Sequence, residues 1–102
     1  ALEASRVISS NPCVVLGGTI DNDSVAEQFI QFHNAASLPA DGEAPKVYIR
    51  VPANTTVGFD WGPTGRAFSI GCVICNSSTP DTKTLGAADC WFDVQISTEA
   101  IR

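Results

Sequence analysis

Apolar and polar positions in this chain follow two different periods. In "KVYIRVP", Val47, Ile49 and Val51 fall on one side and Lys46, Tyr48 and Arg50 on the other. That alternation marks a half-buried strand. "CWFDVQI" puts Cys90, Phe92, Val94 and Ile96 on one face, and "AFSIGCVIC" does the same with Phe68, Ile70, Cys72 and Ile74. "PCVVLGGTI" is a short apolar run closed by Gly17 and Gly18, read as a strand, and "TVGFDW" predicts another before the turn "GPTG". The period changes in "SVAEQFIQFHNAA", where Val25, Phe29, Phe32, His33 and Ala36 recur at helical spacing. Ser24 and Glu27 fit a capping box there, Asp21 and Asp23 suit a positive helix start, and Leu38-Pro39 stops the pattern. A helix is predicted over 24–36.

One helix with four or five strands predicts an α+β domain. Its sheet is antiparallel or mixed, with the helix on one face, and the element order also suits a split βαβ arrangement. A chain of 102 residues supports one core, so residues 1–102 are read as one domain, with 1–10 as a flexible arm or short helix.

Composition narrows the function classes. Only 17% of residues are charged, the net charge is −5, and the six basic residues are scattered. That gives no electrostatic footprint for nucleic acid or for an anionic membrane surface. No apolar stretch approaches the ~18 residues of a membrane span. The chain starts "ALEASRV" and contains no methionine, which is read as a mature secreted chain after cleavage. Asn22, Asn54 and Asn76 each open an N-glycosylation triplet, in keeping with an extracellular setting.

The cysteines carry most of that expectation. Cys72 and Cys75 form a Cys-x-x-Cys pair, but Val73 and Ile74 prefer strand and the following "NSSTPDTKT" is turn-like, so no helix dipole activates the first sulfur. A zinc site from Cys13, Cys72, Cys75 and Cys90 lacks the second close pair that strong zinc signatures show. Two disulfides in a secreted domain are therefore expected. Face parity favours Cys72 with Cys90 and Cys13 with Cys75, while Cys75 with Cys90 is the competing closure. No metal or cofactor is expected.

Candidate chemistry is sparse. "VVLGGTIDNDSV" resembles the strand and Asp-x-Asp pattern of haloacid-dehalogenase-type phosphatases, which would make Asp21 a nucleophile and Asp23 an acid. That fold needs a longer doubly wound sheet and a downstream lysine, so the acids are read as a helix start. The stretch is not a calcium loop either, with Val25, Ala26 and Phe32 at positions five, six and twelve. His33 is read as packing beside Phe29 and Phe32. Asp60, between Phe59 and Trp61 and near Arg66, is the one acid that suggests a pocket. A hydrolase would need Asp93 or Asp89 as its second carboxylate.

In organisation alone the chain is similar to small proteins that fungi secrete, killer-toxin-like and effector domains with a few disulfides and a sheet-and-helix core. That resemblance implies surface binding without catalysis. The expectation is a secreted, effector- or toxin-like binding protein acting on a host protein, cell-envelope component or carbohydrate. The alternatives are an inhibitor or coat component inserting loop 76–89, or a small hydrolase using Asp60. The binding surface is expected on the sheet face away from the helix, with Tyr48, Arg50, Asp60, Trp61, Arg66 and Trp91 as candidates.

Overall fold

In a computed structural model, which describes residues 2–97, eight strands and no helix are formed among those residues. They are β1 (Ser5–Ser9), β2 (Cys13–Asn22), β3 (Gln28–His33), β4 (Val47–Val51), β5 (Thr55–Asp60), β6 (Arg66–Phe68), β7 (Cys72–Ser77) and β8 (Cys90–Ser97). One sheet runs β1-β7-β3-β4. In the other, β2 is paired with β8 over most of its length, while β5 and β6 share its opposite edge. All pairings are antiparallel.

The two sheets face each other. Val15, Ile20, Phe68 and Phe92 from the β2 sheet meet Ile30, Phe32, Val51 and Ile74 from the β3 sheet in one buried cluster. The fold is therefore an all-β sandwich, not the α+β domain expected. The predicted helix over 24–36 is a bend followed by β3. Val25, which the helical pattern placed on the core side, is 91% exposed. Ser24 acts in a turn: its N–H donates to Asn22 Oδ1 and its hydroxyl accepts from the Ala26 N–H. Glu27 pairs with Arg50 at 2.5 Å instead of closing a capping box. "QFIQFH" hides its alternation because both sides of β3 are covered. Ile30 and Phe32 face the core, and Gln31 and His33 lie buried beneath loops.

Other expectations resolve at the level of register. The faces predicted for β4 and β8 are observed. β2 does not end at Gly17-Gly18 but passes through both glycines to Asn22. The supposed arm contains β1, paired to β7. "AFSIGCVIC" breaks at Gly71, leaving Phe68 in one sheet and Cys72 in the other, with Ile70 exposed.

The expected disulfides are absent: Cys13, Cys72, Cys75 and Cys90 are all free and buried. Parity placed Cys72 and Cys90 correctly in the space between the sheets but said nothing of position along it. Cys90 sits opposite Asn22, at one end of β2. Cys72 lies at the other end, close enough to Cys13 for the two thiols to interact. Nine residues of strand separate those ends, roughly 30 Å. Cys75 points to the outer side of its sheet, toward Gln31, so the sheet itself stands between it and Cys13. Burial pushes the Cys72 thiol to about 12 and those of Cys75 and Cys90 to about 11, and it raises Cys13 as well. The thiols are inert packing groups.

The two outer faces differ. Over the β3 sheet, the Gln31 amide donates to the carbonyls of Thr79, Pro80 and Thr82 at 2.8, 3.1 and 3.0 Å. Lys83, 3% exposed, pairs with Asp41, and backbone bonds from Gly42 to Lys83 and from Lys83 to Glu43 knit the two loops together. Loop residues thus build a second, polar core. Among the described residues nothing comparable covers the β2 sheet.

Candidate functional site

The bare face is built by the alternation of β2. Ile20 and Asn22 point inward, so Thr19 and Asp21 point out. Pairing then sets three rows across β5, β2 and β8: Thr56–Asp21–Trp91, Gly58–Thr19–Asp93 and Asp60–Gly17–Gln95. Register slips between Val15 and Gly17, a bulge that draws the neighbouring backbones inward. A Cβ on Gly17 would lie 2.6 Å from the Phe59 carbonyl oxygen, and one on Gly18 2.0 Å from that of Asp93. Only glycine permits that approach.

With no side chain at 17 or 58, the face sinks into a trough of about 460 Å³. Backbone of Gly17 and Gly18 and the Thr19 side chain form its floor, Asp60 and Pro63 one wall, and Asp93 and Gln95 the other. Trp91, 40% exposed, stands one row beyond Asp93. Asp60 Oδ1 accepts the Gly62 N–H at 2.8 Å, which fixes its direction at the strand end. Thr56 donates to Asp21 Oδ1 at 2.9 Å. Asp23 is held above the usual carboxylate range, first by partial loss of water and then by the charges of Asp21 and Asp89.

This geometry bears on the hydrolase reading. Asp60 and Asp93 lie across two strand spacings and two residues apart in register. Their Cα atoms are therefore about 12 Å apart, since strands are spaced by ~4.8 Å and residues by ~3.4 Å. Both side chains stand up from the sheet, wider than the ~5–9.5 Å between the carboxyls of glycoside hydrolases. Asp89, just before β8, lies farther still from Asp60. The two aspartates flank the trough and do not form an acid–base pair. Among the described residues no group of three His, Cys, Asp or Glu side chains converges as a metal set.

The six surface candidates fall on separate regions. Asp60 and Trp91 share the β2 face. Trp61 is half-buried between the sheets, its ring 5.0 Å from Phe32 and 4.9 Å from Phe59, with the Arg66 guanidinium 5.2 Å from it. Tyr48 and Arg50 belong to the outer side of the other sheet, Tyr48 edge-on to Phe29 and Arg50 paired with Glu27. Asp60, expected at a strand end and tight turn with either Arg66 or a backbone amide as its partner, takes the amide of Gly62. Loop 76–89, the expected inserting loop, is tied down by Gln31 and Lys83. Asn22 and Asn76 are buried with their amides donating to backbone carbonyls, so of the three glycosylation triplets only Asn54 is exposed.

Thr19, Gln95 and the glycine floor were not singled out from sequence. Their one signal is glycine inside otherwise alternating strands, "VLGGTI" and "TVGFDW". Comparison of this chain with protein-family models, with curated proteins and with solved structures finds no match. For the membrane, no helix among the described residues is long and apolar enough to cross one.

Proposed function

We propose that this chain is a non-catalytic binding domain that holds a neutral carbohydrate across the outer face of β5, β2 and β8. The observation that carries the reading is the pairing of an exposed indole, Trp91, with a cleared trough walled by Asp60, Asp93 and Gln95. A sugar ring has an apolar C–H face and a rim of hydroxyls. The indole offers a flat apolar surface for the first. The carboxylates, amide and Thr19 hydroxyl accept and donate to the second, the carboxylate bonds being the stronger kind. The acidic face disfavours anionic glycans.

An extracellular setting drew its main support from the disulfides, and four free thiols withdraw it. The likeness to secreted fungal proteins rested on the same bridges and on the helix. The exposed Asn54 triplet is what remains in favour.

The test is depletion of the protein by insoluble β-glucan, chitin, mannan and cellulose, followed by calorimetry with the matching oligosaccharide. Trp91→Ala should weaken binding at least about tenfold, as loss of a stacking anchor does, while Tyr48→Ala on the other sheet should leave it unchanged. Failure of every glycan to bind, or unchanged binding by Trp91→Ala, would overturn the reading. A second reading, a basic protein partner, is favoured by Asp21, Asp23, Asp60, Asp89 and Asp93 all lying on or beside this face. Salt separates the two, because exposed ion pairs are screened over ~8–10 Å at physiological ionic strength and stacked neutral sugars are not.

A further inference from the structure

A second cavity, of about 620 Å³, lies on the opposite side of the molecule under the 34–46 loop. That volume is within the ~300–1,000 Å³ of small-molecule sites. His33 lines it from the end of β3 while being only 3% exposed. Its protonation can be worked out from the bonds around it. The Gln31 amide nitrogen donates to three carbonyls, so Gln31 Oε1 must be the atom that faces His33 Nε2, at 2.9 Å. An oxygen there accepts, so Nε2 carries the hydrogen. In the neutral ring Nδ1 is then a bare acceptor, and it has no hydrogen-bond partner among the described residues. Burial first, and then the positive charge of Lys83, keep the ring neutral against the opposing pull of Glu43.

Two opposite charges stand in the same wall. Glu43 and Lys46 line the cavity, and neither has an ion-pair partner among the described residues. The Lys46 ammonium rests 5.4 Å from the Phe68 ring centroid, which positions it without neutralising it. Leu38, Pro39 and Pro45 complete the wall with apolar surface.

The geometry points to a binding site for a free α-amino acid with an apolar side chain. Its ammonium would donate to His33 Nδ1 and Glu43, its carboxylate would meet Lys46, and its side chain would lie against Leu38 and Pro39. The site is separate from the trough, and neither reading depends on the other.

The experiment is an amide NMR titration of the intact chain with L-leucine, L-leucinamide and 4-methylpentanoate. Leucine should give saturable shifts confined to residues 33–46, and a long-range ring spectrum should show the His33 Nδ1 resonance moving. The two analogues, each lacking one charged end, should bind about tenfold more weakly or worse, a loss near 1.4 kcal/mol. Lys46→Met and Glu43→Gln should each weaken leucine similarly at unchanged Tm. Should either variant unfold, the analogues still test the same contacts on the unaltered chain. Absence of saturable shifts with leucine near its solubility, or equal binding of all three compounds, overturns the proposal.

Discussion

Replacing Gly18 with alanine tests the claim that the bulge draws β8 against β2. The new methyl would sit 2.0 Å from the Asp93 carbonyl oxygen and 3.0 Å from the Val94 Cα, all backbone, so no side chain can swing aside. Ordinary contact begins near 3.4 Å, so β8 must retreat by about 1.4 Å from a strand spacing of ~4.8 Å. A ladder bond of ~2.9 Å stretched by that much is no longer a hydrogen bond. Losing two such bonds costs about 2 kcal/mol, and forced packing adds ~1–3 kcal/mol. Reduced freedom of the unfolded chain offsets ~0.4–1 kcal/mol of this. The net loss is about 3 kcal/mol, a large part of the ~5–15 kcal/mol that holds a domain this size. Gly58→Ala is the control, because its methyl would find only the Gly18 carbonyl at 3.8 Å. That variant should stay within ~0.5 kcal/mol of the parent, as open surface sites do. Urea unfolding followed by tryptophan fluorescence measures both. A Gly18→Ala protein within 1 kcal/mol of the parent would refute the reasoning, as would equal losses at both positions.

Three further outcomes follow from the same structure. Gln31→Met removes the donor shared by Thr79, Pro80 and Thr82, costing about 2 kcal/mol, with hydrogen exchange speeding first at the amides of Ser78, Lys83 and Thr84; protection unchanged there would show that the loop is held otherwise. A thiol reagent should leave the native chain unmodified and titrate all four cysteines once it is unfolded without reductant, and rapid labelling of any of them in the folded state would contradict their burial. Stability should be greatest between two limits set by linkage. His33 has a lowered folded pKa, so the unfolded chain takes up its proton first and stability falls as pH drops below the unfolded value of about 6.5; the cysteines have raised folded values, so stability also falls as pH climbs from about 9 toward 11–12, and unfolding midpoints flat across both windows would contradict the assigned burial.

Local alternation was legible wherever one face met water. β4 and β8 read correctly because Tyr48, Arg50, Asp93 and Gln95 are exposed between buried or half-buried neighbours. β3 did not, because loops from elsewhere in the chain bury Gln31 and His33, which erases the period and leaves a chance helical spacing. The cysteines show the same limit. Alternation tells which side of a strand a sulfur occupies, but position along the sandwich depends on pairing between distant segments, which no local pattern encodes. The site was half legible. Asp60 and Trp91 stood out as an isolated acid and a large aromatic, yet only the joint pairing of β5 and β8 with β2 brings them to one face and removes Trp61, Tyr48 and Arg50 from it.

The crowding at Gly17 and Gly18 has a consequence for how this surface could change. The glycine part of the trough floor is closed to every other amino acid by the sheet's own geometry, while Asp60, Asp93 and Gln95 around it carry no share of the hydrophobic core. Shape and chemistry are thus governed by separate positions. A library varying those three rim residues would explore new ligands on a recess whose depth is inherited unchanged, without spending stability on each trial.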